Sequence, residues 1–163
     1  TNTRATDPND ATRTVLTGAQ RSKGLEIGLS GAITPQWQVS AGYALQDAKI
    51  RKTTSAAPAG RDVPLVPKQQ ASLWTRYDFT PRFGAGVGVY HQSKSFTSIS
   101  NTAVLPAFTR VDAAAFFKLT PKIEAQINVE NLLDSSYFSS AYNDNNIMPG
   151  APTTARATVR MSF

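Results

Sequence analysis

The chain has 163 residues, a formal charge of +6 and no cysteine, which allows one domain with a core but excludes a disulfide framework and thiolate metal sites. Its mean hydropathy of -0.27 and the lack of any apolar run near the ~18–20 residues of a membrane helix exclude a helical membrane protein. They do not exclude a membrane β-barrel, whose strands alternate and keep the average hydropathy low.

Residues 1–20 open on a polar stretch, Thr1 to Asp10, that carries no apolar h-region of a secretory signal. They are expected to form an outer loop, with a short hairpin around Thr12 to Leu16. From there the chain alternates with period two, and strands are expected over about 21–34, 37–50, 68–79, 83–95, 108–119, 122–134 and 153–163. In the first, Leu25, Ile27, Leu29, Gly31 and Ile33 share one face, against Glu26, Gly28, Ser30 and Ala32. In the second, Trp37, Val39, Ala41, Tyr43 and Leu45 do the same. The pattern continues to the last strand, where Ala155, Ala157, Val159, Met161 and Phe163 oppose Arg156, Thr158 and Arg160.

Three breaks repeat an apolar residue, Thr-Pro and a polar residue: Ile33-Thr34-Pro35-Gln36, Phe79-Thr80-Pro81-Arg82 and Leu119-Thr120-Pro121-Lys122. Proline fixes φ and removes a donor, so each marks a tight turn. The other connections, Arg51 to Pro67, Lys94 to Ala107 and Ser135 to Pro152, are long and polar and belong in water.

Charge placement separates a barrel from a soluble sandwich. Mid-strand, the apolar face carries no charge, while the other face holds Glu26, Arg76, Asp78, Arg110, Asp112, Lys118, Glu124, Glu130, Arg156 and Arg160. A lipid-facing charge at mid-bilayer would cost ~2–4 kcal/mol. Several strands also exceed the ~5–6 residues usual in soluble sheets and match the ~9–11 of a tilted span. Aromatic residues near the turns (Trp37, Tyr77, Phe79, Phe83, Phe117, Phe163) read as an interfacial girdle. The expected fold is therefore all-β: a transmembrane antiparallel β-barrel with short periplasmic turns and long outer loops. Seven strands entering at the outer rim give the wrong parity for a free-standing bacterial barrel. The whole chain, 1–163, is thus expected to be the C-terminal part of a larger barrel.

Several motifs carry a family resemblance. Gln20-Arg21-Ser22-Lys23-Gly24-Leu25-Glu26 resembles the Q-R-x-x-G-x-E opening of a late strand in TonB-dependent siderophore receptors. Asn128-Val129-Glu130-Asn131-Leu132-Leu133-Asp134 with Tyr137 is similar to their N-[IV]-x-N-L-x-D-x-x-Y motif, and the chain ends in the family's terminal aromatic, Phe163. Leu73 to Phe79 and Thr109 to Asp112 also match. Asp7-Pro8-Asn9-Asp10 and Val15-Leu16-Thr17-Gly18 look most like the catecholate or hydroxamate branch. The resemblance implies a 22-stranded barrel in the bacterial outer membrane, plugged by an N-terminal domain absent from this sequence. It implies import of a ferric siderophore with energy from TonB, no cofactor of its own, and insertion by the barrel assembly machinery with Phe163 as signal.

Within that frame the candidate ligand residues are cations and aromatics of the outer loops: Arg51, Arg61, Lys94, Phe96, Tyr137 and Tyr142. They suit an anionic, flat-ringed chelate, although loop cations also meet lipopolysaccharide phosphates. On the lumen-facing phase, Arg76, Arg110, Asp112, Arg156 and Arg160 are candidates for contact with a plug. The Arg-x-Asp pairs, Arg76 with Asp78 and Arg110 with Asp112, are expected to neutralise one another across strands, and Arg156 and Arg160 lack an obvious local partner. Nucleic acid is not expected, since the cations form no patch interleaved with aromatics. An outer-membrane enzyme is the rival class, but it would rest on His91, the one histidine, and with no cysteine a protein-held metal site is poorly supported. The remaining alternatives are a small self-contained barrel and a soluble β-sheet binding module.

Overall fold

The computed structural model describes residues 3–7 and 9–163 and consists of strands, turns and loops. In chain order the strands are β1 (Thr3–Thr6), β2 (Thr14–Gly18), β3 (Gln20–Thr34), β4 (Trp37–Ile50), β5 (Gln69–Thr80), β6 (Phe83–Gln92), β7 (Ser95–Phe96), β8 (Val104–Leu105), β9 (Phe108–Thr120), β10 (Ile123–Glu130), β11 (Phe138–Asn143), β12 (Asn146–Pro149) and β13 (Thr154–Met161). Seven of them form one antiparallel sheet in the order β13-β10-β9-β6-β5-β4-β3. Strands that follow one another within the sheet pair throughout, with the ribbons β7-β8 and β11-β12 looped out between them, and the sheet is open, with β3 and β13 at its edges. The other six make three two-stranded ribbons at the outer rim: β1-β2, β7-β8 and β11-β12.

The short turns share one local device. After Thr34-Pro35, the Trp37 amide donates to the Thr34 hydroxyl at 3.1 Å; Arg82 and Phe83 donate to Thr80 at 3.2 and 3.0 Å; Lys122 donates to Thr120 at 3.2 Å. Threonine accepts the amides that the turn would strand, and proline supplies the bend without adding another donor.

Register joins the apolar phases into continuous rows. Leu29 faces Ala41, Ala41 faces Leu73, Leu73 faces Val89 and Val89 faces Val111. Large apolar side chains in these rows are left open to the surroundings, with Leu25, Ile27 and Leu29 at 56–58% exposure. A row of this extent marks a lipid contact rather than a core. At its periplasmic edge an aromatic chain crosses three strands: Tyr77 to Phe79 at 5.1 Å, Phe79 to Phe83 at 5.6 Å and Phe83 to Phe117 at 5.2 Å. The Trp37 indole N–H is satisfied there by the Thr75 hydroxyl at 2.7 Å.

The opposite face is built around close approach. A Cβ on Gly86 or Gly88 would meet the Trp74 ring at 2.7 or 2.6 Å, and one on Gly84 would strike the Asp78 carboxylate. The glycine row of β6 is the seat on which Trp74 and Asp78 lie across the strand.

Two strands stop short of expectation. β6 ends at Gln92 rather than 95, and Ser95–Phe96 instead pairs with Val104–Leu105. β10 ends at Glu130 rather than 134, because Asn131 and Asp134 take left-handed φ values of 52° and 48° that no strand can hold. The Asn131 amide bonds Asp112 Oδ1 at 2.9 Å, and its side chain reaches the Ser135 and Ala151 carbonyls at 3.1 and 3.0 Å. The Asn-Leu-Leu-Asp stretch is thus a corner in which buried Asn131 ties β9, β10 and the entry to β13 together while Leu132 and Leu133 stay exposed.

The long connections were expected only as solvated loops. Instead they close over a buried core: Ala57 and Ile99 of the loops and Ile50 at the end of β4 are fully buried, with Ala56 and with Ala5 and Val15 of the first ribbon packed against them. The 1–20 segment contributes the β1-β2 ribbon to this cap. It pairs Thr6 with Thr14 rather than turning tightly near Thr12.

Candidate functional site

The cap is assembled from groups far apart in sequence. Arg61 donates to the Ile99 carbonyl at 2.9 Å, and Asp62 and Asn101 exchange two bonds, at 2.8 and 3.0 Å. Thr54 donates to the Leu16 carbonyl at 2.7 Å, tying the β2 ribbon to the loop after β4. Asp144, between β11 and β12, accepts from Thr97 on one oxygen and from Ser100 and Thr102 on the other, at 2.5 and 3.1 Å. Burial alone would raise this carboxyl, but bonds from Ser100, Thr97, Ser98 and Thr102 outweigh it and hold the group below the ordinary carboxylate value. A single charge therefore holds the β7-β8 loop against the β11-β12 ribbon.

Between these elements lies a cavity of about 500 Å³, bounded by Arg61, Ser100, Thr102 and Asp144 with Asp7 and Asn9 of the first ribbon. Its volume falls within the ~300–1,000 Å³ usual for ligand sites. Since Ala48 and Ile50 are buried beneath the cap, the cap packs on the same phase of β4 as Gln38 and Gln46, the side opposite the apolar rows.

The sequence candidates scatter around this cavity. Arg61 lines it. Arg51 does not: it follows buried Ile50 in the alternate phase, exposed, with its amide bonded to the Ala19 carbonyl at 2.7 Å. Lys94 is exposed between β6 and β7, and Phe96 is half-buried opposite Val104 in the small β7-β8 ribbon. Tyr142 stands 60% exposed on β11. Tyr137 offers no free ring face, because it stacks on Phe108 at 4.4 Å and lies against Gly150, where a Cβ would clash with the ring. Asp144, Ser100 and Thr102 escaped the sequence reading; isolated hydroxyls in a polar loop announce nothing until a carboxylate forty residues away gathers them.

On the inner face the Arg-x-Asp pairs close within their own strands, not across them. Arg76 meets Asp78 at 2.9 Å and Arg110 meets Asp112 at 2.8 Å, each two residues apart on one face. Arg76 also lies 4.0 Å over the Phe116 ring, and Asp112 is further used by the Asn131 amide. Arg160 stands opposite Glu124 in the register, and Glu124 opposite Lys118, but among the described residues no ion pair joins them. Arg156 faces Asn128. His91 lies in the outward phase and shares a 2.9 Å bond with the Thr109 hydroxyl, and among the described residues no cluster of metal-binding side chains occurs.

Comparison with known proteins places this arrangement. Residues 1–132 match the family described as TonB dependent receptor-like, beta-barrel. The siderophore receptor PiuA of Acinetobacter baumannii is 34% identical over 143 residues, covering 82% of this chain and 19% of the relative. The catecholate siderophore receptor Fiu of Escherichia coli K12 is 32% identical over 152 residues, covering 90% of this chain and 20% of the relative. The crystal structure of PiuA superposes with a TM-score of 0.80 over 98% of this chain and 24% of that one. The chain thus spans about a fifth of the length of these relatives. They are receptors rather than enzymes, and barrels of this family reside in the outer membrane of Gram-negative bacteria. A lipid-facing sheet, Thr-Pro turns at one rim and a packed loop cap at the other are accounted for together: the chain belongs to the TonB-dependent receptor β-barrel family.

Proposed function

We propose that this chain is the C-terminal wall of a 22-stranded receptor that takes up a ferric siderophore in a TonB-dependent manner. The observation that carries the proposal is the open recess of about 500 Å³ within the outer cap, on the side of the sheet opposite the apolar rows. The chelate is cargo and brings its own iron; the wall supplies no cofactor. Catecholate chemistry is the favoured cargo, because Fiu is a catecholate receptor and Arg61 offers a guanidinium to an anionic ring system at the cavity edge. Phe96 and Tyr142, half-buried and exposed on the outer ribbons, would offer aromatic faces from the same rim.

The inner face suits a plug domain. Arg76, Arg110 and Asp112 are internally compensated and would present a neutral, ordered wall, while Arg156 and Arg160 on the edge strand, without an ion pair among the described residues, would meet an acidic plug surface. TonB would act through that plug. Phe163, fully exposed beyond β13, would serve the barrel assembly machinery, and the outward rim would meet lipopolysaccharide. The test uses the full-length parent receptor: Arg61→Gln combined with Lys94→Gln should weaken ferric-catecholate binding about ten-fold or more, the scale of one lost charge-assisted contact. Unchanged affinity would remove both residues from the site.

A further inference from the structure

β11 and β12 form a sheet of their own, so the place of this ribbon beside the recess is set by what grips its two ends. At the base, the Tyr137 ring stacks on Phe108 of β9 at 4.4 Å. Phe108 leans on Tyr90 of β6 at 5.8 Å, and the Tyr90 hydroxyl accepts from Gln70 at 3.0 Å and donates to Gln92 at 2.9 Å. The three rings therefore root the ribbon in β5, β6 and β9, strands that lie inside the sheet rather than at its edges. Gly150 closes on the ring from the far end of the ribbon. Its amide donates to the Tyr137 carbonyl at 2.7 Å, and a Cβ there would strike the phenol.

At the tip, Asn143 Oδ1 accepts the Asn145 and Asn146 amides at 2.9 and 2.7 Å and stiffens the turn. Asp144 leaves that turn with its carboxylate on Thr97, Ser100 and Thr102. Those hydroxyls belong to the loop between β7 and β8, which in turn holds Arg61 through the Ile99 carbonyl and Asp62 through Asn101. Base and tip are separated by the six residues of β11, ~20 Å at the rise of a strand. Over that length a tilt of about 10° at the base moves the tip ~3 Å, whereas a hydrogen bond is lost once it lengthens by about 1 Å.

We propose that Tyr137 is a positioning residue for the cap recess. Its ring column fixes the angle of the ribbon, and thereby the hold of Asp144 on the loop that carries Ser100 and Thr102 and steadies Arg61. Tyr137 is not among the residues that bound the recess, so it acts through Asp144. By linkage, a ligand that tightens the recess also stiffens the base. That this ligand is the chelate rests on the function proposed above; the coupling of base to tip does not.

The test is a mutant cycle in the full-length parent receptor. Tyr137→Leu removes the stack, Gly150→Ala pushes the ring from its other side, and Asp144→Asn weakens the tip. Hydrogen exchange of residues 97–102, at the far end of the ribbon, is the primary readout. Tyr137→Leu and Gly150→Ala should each speed it about ten-fold or more, the scale of one lost charge-assisted bond. Tyr137→Phe, which keeps the stack, should restore the wild-type rate. Tyr137→Leu/Asp144→Asn should exceed Asp144→Asn by less than about two-fold, because both changes release the same contact. Wild-type exchange at 97–102 in both base variants, or full multiplication of the two effects in the double variant, would overturn the proposal. So would an equal rise in the mid-span amides of β3 and β4, which a general loss of stability produces. Ferric-catecholate affinity, measured in parallel, distinguishes the positioning role from the identity of the ligand. A loss in Tyr137→Leu and Asp144→Asn alike, recovered in Tyr137→Phe, supports both. Coupled exchange with unchanged affinity supports the positioning role and removes the chelate from the recess. Weakened binding by Tyr137→Phe with slow exchange at 97–102 places the phenol hydroxyl on the chelate and overturns the proposal.

Discussion

The spanning sheet and the outer cap are held together by opposite means. Along β3 from Leu25 to Ile33 no side chain is buried, and Leu25, Ile27, Leu29 and Ile33 stay at more than half exposure awaiting lipid. The cap, composed of polar loops, contains Ile50 and Ile99 at 0% and Leu105 at 2%. Lipid replaces a core where the chain crosses the membrane; where it emerges into water it must build one. Consequently the sheet should tolerate a charge toward the lumen, away from the close-packed glycine row of β6, but not toward lipid, and the cap should be sensitive wherever a buried polar group joins two loops.

The largest effect should come from placing a charge in the lipid rows. Leu29→Arg at mid-span should cost about 2–4 kcal/mol in membrane stability and abolish the heat-modifiable folded band of the full-length receptor. Ser30→Arg, one residue along and facing inward, should leave that band in place. Equal behaviour of the two variants would break the assignment of faces.

Next stands Asn131, 1% exposed and bonded through its side chain to Ser135 and Ala151. Asn131→Ala strands those partners and should cost about 2–3 kcal/mol, seen as a lower urea midpoint. Asn131→Gly, which keeps the left-handed backbone at ease, should recover only a part. Full recovery would mean that φ, not hydrogen bonding, is what the corner requires.

These regions also differ in how far the sequence exposes them. Alternation from Leu25 to Ile33 is legible because the surroundings of a spanning strand themselves alternate between lipid and lumen, and each residue records one of them. The Thr-Pro breaks are legible because proline admits few local structures. The cap leaves no such record: Ile50 and Ile99 are single apolar residues in polar segments, Ala57 is one of three alanines in a short stretch, and only the three-dimensional fold gathers them. Asp112 was readable as inward-facing, but not as the acceptor for the Asn131 amide, since that bond depends on a turn nineteen residues later. For the same reason Arg61 could be nominated from its charge, while Asp144 could not.

Asp144 permits a pH test confined to the cap. Its folded pKa is depressed below the ordinary 3.8, so its contribution is complete above that value and is lost as pH falls through the lowered folded value. Hydrogen exchange of the 97–102 and 141–147 segments should stay slow at neutral pH and rise only below about pH 4, the range in which carboxylates titrate. Asp144→Asn should make both segments exchange faster at neutral pH, while amides of β3 and β4 at mid-span remain unchanged. A rise in the spanning strands at the same pH would show that cap and sheet unfold as one unit.

The smallest effect should separate the turns from both regions. Thr120 accepts one amide, from Lys122 at 3.2 Å, in an exposed turn where water can replace it. Thr120→Val keeps shape and volume near constant, so the loss should be about 0.5–1 kcal/mol, the net worth of one solvent-accessible hydrogen bond. Thr80 accepts two amides, from Arg82 and Phe83, and Thr80→Val should cost about twice as much on the same scale. Urea midpoints of the two variants, measured side by side in the full-length receptor, check the ratio. Equal shifts would mean that proline alone sets these turns and that threonine is retained for the membrane interface rather than for capping.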